Sequence, residues 1–172
     1  ELDDHFVTGA GDRVVNGGWR RGDLWANGPS ASVRSVSDLE SRVQGIFDRA
    51  PFMRLLGVSL MGVGEGWLET TLTIGDDLRQ QHGFAHAGVI STLADHTAGA
   101  AATTMVSADQ SVLTADFTIH LLRPGAGAEL RSRGEVVRAG RSLIFASADV
   151  WADGAHCARY TGTMARVARP LD

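Results

Sequence analysis

From Ser111 to Val167 the chain writes one pattern four times over. In SVLTADFTIHLL, apolar side chains recur at every second position and set Leu113, Ala115, Phe117, Ile119 and Leu121 on one face. ELRSRGEVVR, RSLIFASADVWA and AHCARYTGTMARV follow, separated by Arg123-Pro124-Gly125, Ala139-Gly140 and Asp153-Gly154. Period-2 segments joined by turns this short predict antiparallel neighbours, because a parallel pair needs a crossover of a dozen residues or more. A sheet of this kind has an apolar face that must be buried against another element. Ahead of the four strands, only residues 88 to 106 are long and apolar enough to cover it. The expected fold class is therefore α+β, an antiparallel sheet wrapped around one long central helix.

The remaining segments fit that plan. SVSDLESRVQGIFDR carries Leu39, Val43, Ile46 and Phe47 at helical spacing, with Ser37 and Glu40 as a capping box. Pro51 should end this helix and begin a turn bearing Phe52, Leu55 and Leu56. VSLMGVGEGWLETTLTI reads as a hairpin turning between Gly62 and Gly66, with Leu68, Thr70, Leu72 and Ile74 sharing a face. GDDLRQQHGFAHA reads as a long polar loop. Residues 1–36 are rich in Gly, Asp, Asn, Arg and Ser, with Trp19 and Trp25 scattered among them; they are expected to be a poorly ordered extension. Residues 37–172 then form one domain.

Composition removes several functions. A net charge of −4 gives no basic field for nucleic acid or an anionic membrane. All of the cationic side chains are Arg, so no lysine Schiff base is available. No window approaches the roughly 18 apolar residues of a membrane span. The opening ELDDHFVTGAGDRVVNGG lacks a basic segment followed by an apolar one and is not expected to be a signal peptide. One cysteine, Cys157, permits no internal disulfide, which is compatible with a reducing cytoplasm. Its place in a strand marks it as a packing residue.

The chemistry gathers in RQQHGFAHAGVISTLADHTAGAAA, residues 79–102. At about 3.6 residues per turn, Val89, Ile90, Leu93, Ala94, Thr97, Ala101 and Met105 share the face that suits a sheet. Gly88, Thr92, Asp95, Gly99 and Ala102 fall opposite, a stripe of small residues around one acid that would admit a second copy of the same helix. Asp is a mediocre helix former, so propensity does not explain it. The turn from Gly83 to Gly88 leads into the helix, where unpaired N–H groups and the dipole favour a negative oxygen. Gln80 and Thr114 are polar groups able to orient water. A carboxylate, an oxyanion site and water-orienting groups are the requirements of acyl-transfer hydrolysis.

This stretch resembles the signature of the hotdog-fold acyl-CoA thioesterases, in the branch typified by the phenylacetate-pathway (PaaI-type) enzymes: a polar loop, His-Gly-Gly, and an acid in the following helix. The resemblance covers roughly residues 37 to 168. It implies a hotdog fold and hydrolysis of an acyl-CoA or acyl carrier protein thioester to acid and thiol, with no cofactor and no metal. It also implies a homodimer or a tetramer (dimer of dimers) whose active site is divided between two subunits. Residue by residue, Asp95 matches the acid that serves as general base or nucleophile, and the Ala87 N–H matches the group that polarises the carbonyl. Gln80 matches an Asn/Gln position of the loop, Thr114 a Ser/Thr position that bonds the water or the acid, and His86 the residue that opens the helix. The motif here is His-Ala-Gly, and the Ala87 methyl would oppose a left-handed backbone. Arg123, Arg138 and Arg141, beside turns, are candidates for the phosphates of coenzyme A. His82, His86 and His96 have the side chains of metal ligands but not the spacing. Two alternatives stay open: a non-catalytic acyl-CoA-binding protein, and a hydroxyacyl-thioester dehydratase pairing His86 with Asp95.

Overall fold

The computed structural model describes residues 36–168, so the expectation for the extension and its two tryptophans lies outside the described residues. Two helices come first, α1 (Val36–Arg49) and α2 (Pro51–Leu56). A hairpin follows, β1 (Ser59–Gly64) and β2 (Trp67–Thr73), and then the long helix α3 (Ala87–Thr103). The chain ends in β3 (Gln110–Leu121), β4 (Glu129–Ala139), β5 (Leu143–Ala152) and β6 (Ala155–Ala168). All strand pairs are antiparallel, in one six-stranded sheet of order β1-β2-β4-β5-β6-β3. Helix α3 packs against β2, β3, β4, β5 and β6, and α1 covers the edge strand β1. A helix held in a curled antiparallel sheet is the hotdog arrangement.

The core forms where the apolar phase of each strand meets α3. Leu72, Leu130, Ile144, Val150, Tyr160 and Met164 are fully buried from the sheet side, and Leu93, Ala94 and Ala98 from the helix side. A pair of hydroxyls ties the two layers: Thr70 and Thr97 share a hydrogen bond of 2.7 Å, and Thr97 also donates to the Leu93 carbonyl at 2.6 Å. Small residues let the layers approach. A Cβ built on Gly134 of β4 would sit 2.9 Å from the backbone of Thr97 and Ala98. Neither partner is a side chain that can swing away. Gly134→Ala should therefore push α3 off the sheet at a cost of about 2–3 kcal/mol, lowering Tm by on the order of 5–10 °C. An unchanged melting midpoint would show that the helix does not rest on this glycine.

Four expectations need correction. Helix α1 is already formed at Val36, so Ser37 lies inside its first turn rather than capping it. The segment after Pro51 is a short helix, not a turn. Pro sits at its N-terminus, where a missing N–H costs nothing, and Gly57 in a left-handed conformation closes it. Ala102, expected on the open stripe of α3, is fully buried, because the core closes around the C-terminal half of the helix; Gly88, Thr92, Asp95 and Gly99 stay partly open.

The fourth correction positions the site. Strand β3 does not alternate strictly: its register against β6 slips between Thr114 and Asp116, leaving Ala115 as an extra residue. A bulge reverses which residues face the helix. Thr114 and Phe117, three apart, both reach groups on the α3 side, Asp95 and Tyr160 respectively. Leu113 and Ala115 thus separate from Phe117, Ile119 and Leu121, with which simple alternation groups them.

Candidate active site

Helix α3 begins under the control of His86. Its backbone is extended (φ −63°, ψ 138°), its Nδ1 accepts the Gly88 N–H at 2.9 Å, and its carbonyl accepts the N–H groups of Val89 and Ile90. Three of the first four N–H groups of the helix are thereby satisfied. The Ala87 N–H has no partner among the described residues. It lies at the positive end of a 17-residue helix, where a developing oxyanion is favoured. Ala87 is the first helical residue and has no positive φ, so its methyl costs nothing and the His-Ala-Gly departure is structurally neutral.

The preceding loop is built, not floppy. The Arg79 guanidinium donates to the carbonyls of Gly83 at 2.7 Å, Ile74 at 2.9 Å and Gly127 at 3.1 Å. The Gln80 side-chain oxygen accepts the His82 N–H, which leaves the amide NH2 as the end able to meet a ligand. Arg79 was not legible as a loop clasp, since an arginine in a polar loop carries no positional signal.

Asp95 sits two turns along α3. Its Oδ1 accepts two hydroxyls, Thr114 at 2.9 Å and Tyr160 at 2.6 Å. Tyr160 comes from β6, is fully buried, and stacks on Phe117 with centroids 5.4 Å apart. Burial, then the hydrogen bond to Asp95 and its charge, hold the phenol far above its ordinary range, so it is a donor at any working pH. Sequence reasoning missed Tyr160. The available signal was a tyrosine in the apolar phase of a strand, where a buried hydroxyl needs a partner.

The three histidines are in different settings. His82 is exposed in the loop, His86 caps the helix, and His96 turns away from Asp95 to lie edge-on against Phe47 at 4.6 Å, where burial lowers its pKa. His86 and Asp95 are nine residues apart on one helix, about 13 Å along its axis, so they do not pair within a chain. The arginines divide as well. Arg123 lies beside Cys157, whereas Arg138 and Arg141 flank the turn opposite Thr163 to Ala165. Those parts of β6 are about 20 Å or more apart, so the three do not form one cluster in one chain. Cys157 is fully buried and its thiol pKa is pushed up by burial, as suits a packing residue.

A groove of about 540 Å³ runs beside the first turns of α3; Phe52, Leu55, Leu56, Leu78 and Val89 give it apolar walls, and Asp77, Arg79, His86 and Thr92 also line it. Phe52 and Leu55 are exposed apolar side chains of α2. The site thus offers an apolar channel, a vacant backbone donor and a clamped carboxylate. Eight residues of helix, about 12 Å, separate Ala87 from Asp95.

The model of the thioesterase superfamily matches residues 82–158, the span that contains the end of the loop, α3 and Asp95. A thioesterase family protein of Silicibacter pomeroyi has 34% sequence identity, with a TM-score of 0.74 over 76% of this chain and 99% of that one. The chain belongs to the thioesterase superfamily. The fold is shared with the PaaI protein of the Escherichia coli phenylacetic acid degradation operon, at 19% identity, a TM-score of 0.73 and coverage of 80% and 100%. A Bacillus halodurans protein solved with CoA is 25% identical, with a TM-score of 0.65 over 77% of this chain and 86% of that one. A Haemophilus influenzae protein described as an esterase is 26% identical over 88 residues; the match spans 51% of this chain and 64% of that protein.

Proposed function

We propose that this protein hydrolyses an acyl-CoA, or an acyl carrier protein thioester, to free acid and thiol, working as a homodimer or a dimer of dimers. The observation that carries the reading is Asp95: a carboxylate in an apolar helix, with one oxygen bound by two hydroxyls and no partner for the other among the described residues. The relative solved with CoA supports the choice of thiol. The apolar groove suits the acyl group, and Arg123, Arg138 and Arg141 remain the candidates for the phosphates.

In the proposed reaction, a thioester carbonyl lies with its oxygen on the Ala87 N–H, and the amide of Gln80 helps to orient it. Asp95 of the other subunit takes a proton from water as the water oxygen bonds to the carbonyl carbon. The oxyanion forms at the helix N-terminus; as it collapses, the C–S bond breaks and the thiolate leaves with the proton from Asp95. If Asp95 attacks directly, its oxygen bonds to the carbonyl carbon, the C–S bond breaks with release of the thiolate, and water then opens the resulting anhydride to the acid and the free Asp95 carboxylate. The sharing between subunits rests on the 12 Å separation within one chain. It draws support from the edge strand β3, which exposes Leu113, Phe117 and Leu121 along an unpaired ladder.

The test is thiol release from a panel of acyl-CoAs and acyl carrier protein thioesters. Turnover of at least one thioester is expected; binding without release across the panel would favour the non-catalytic alternative. Prolonged chelation should leave the rate unchanged, because the polarising group is a backbone N–H. Loss of activity restored by zinc would replace this mechanism.

A further inference from the structure

We propose that Tyr160 is a positioning residue for Asp95: reaching it across Gly162, it shares Oδ1 with Thr114 and leaves Oδ2 as the oxygen that meets the substrate. The inference rests on the reading of Asp95 as the reacting carboxylate. Its own ground is the way β6 is built. Ala158, Tyr160, Gly162 and Met164 occupy the helix-facing phase of the strand, and Gly162 breaks the row of side chains. A Cβ at that position would lie 2.2 Å from the Tyr160 hydroxyl and 2.7 Å from Cζ. The ring therefore occupies the space that any other residue at 162 would fill. Phe117 holds it from the side, with ring planes 25° apart.

The hydroxyl of a fully buried phenol has no bulk water to turn to and must donate inside the protein. It donates to Asp95 at 2.6 Å, a short charge-assisted bond. Thr114, on the helix side only because of the β3 bulge, brings the second donor to the same oxygen at 2.9 Å. A carboxylate oxygen has two lone-pair directions in its plane, and these two donors account for Oδ1. The carboxylate then cannot rotate freely, and the oxygen presented outward is always Oδ2.

Tyr160→Phe keeps the ring, the stacking on Phe117 and the contact over Gly162, and removes only the donor. In Tyr160→Phe, kcat should fall about tenfold with KM little changed, as expected when the acting group is misaligned. Thr114→Val should lower kcat in the same way. Tyr160 is the only tyrosine of the chain, so biosynthetic replacement with 3-fluorotyrosine alters this one phenol. Its fluorine NMR resonance reports on the acceptor of the hydroxyl and should move when Asp95→Asn replaces that acceptor.

Wild-type kcat in Tyr160→Phe overturns the proposal, and so does a loss that falls on KM alone. The fluorotyrosine resonance decides the matter if Tyr160→Phe does not fold: a signal unmoved by Asp95→Asn overturns the proposal. Failure of the underlying reading looks different: Asp95→Asn would itself retain activity.

Discussion

Asp95→Asn is expected to reduce kcat by about 10²–10⁴, the usual loss when a general base is removed, with KM within about twofold of wild type. The fold should survive for a specific reason. An asparagine can keep its carbonyl oxygen where Oδ1 lies, still accepting Thr114 at 2.9 Å and Tyr160 at 2.6 Å. The amide NH2 then replaces the outward oxygen with a group that cannot take a proton. Melting temperature should stay close to that of wild type while turnover disappears. Hydrolysis at near wild-type rate in that variant would remove Asp95 from the mechanism.

The second large effect is expected of Ala87→Pro, which deletes a single N–H. Proline fits the first position of a helix, where no intrahelical bond is lost and its fixed φ is already helical. The residue before it must be extended, and His86 is, at ψ 138°. Helix α3 should therefore form normally, as far-UV circular dichroism would verify, while loss of the oxyanion donor lowers kcat by about 10²–10³. Mixing this variant with Asp95→Asn tests the sharing between subunits. If each site takes Ala87 from one chain and Asp95 from the other, a hybrid dimer gathers both lesions in one site and leaves the other intact. Random exchange makes half the dimers hybrid, so about a quarter of wild-type activity should return by this symmetry. Material shown to contain hybrids, yet no more active than the two parents, would mean that each chain completes its own site. An active Ala87→Pro would mean instead that the carbonyl is polarised elsewhere.

How far the sequence reached can be judged from particular residues. The strand meander and its central helix were legible because period-2 alternation and short turns such as Asp153-Gly154 are local properties. That turn forms as the dipeptide demands, with both residues at positive φ. Asp95 was legible because a charge in an apolar helix is anomalous against its own neighbours. The roles of Ala87 and His86 came from the resemblance to the thioesterases, not from the residues alone; the structure places His86 at the helix N-cap and Ala87 as the first helical residue. The inference stopped where partners are distant in the chain. Tyr160 lies 65 residues beyond Asp95, and nothing in GAHCARYTGTM says which carboxylate its hydroxyl will find.

What the sequence by itself determined was therefore the kind of fold, the helix that carries the acid, and the turn that opens that helix, since each follows from interactions within a few residues. What only the tertiary structure decided was the surroundings of the acid. The bulge at Ala115 brings Thr114 to the helix side, and its cause is the pairing of β3 with β6, not the sequence of β3 alone. Gly134 allows the helix to touch the sheet, and Gly162 makes room for the phenol; both read in the sequence as ordinary glycines in strands. Their meaning depends on which atoms stand across from them, and side-chain period carries no information about the far side of a close contact.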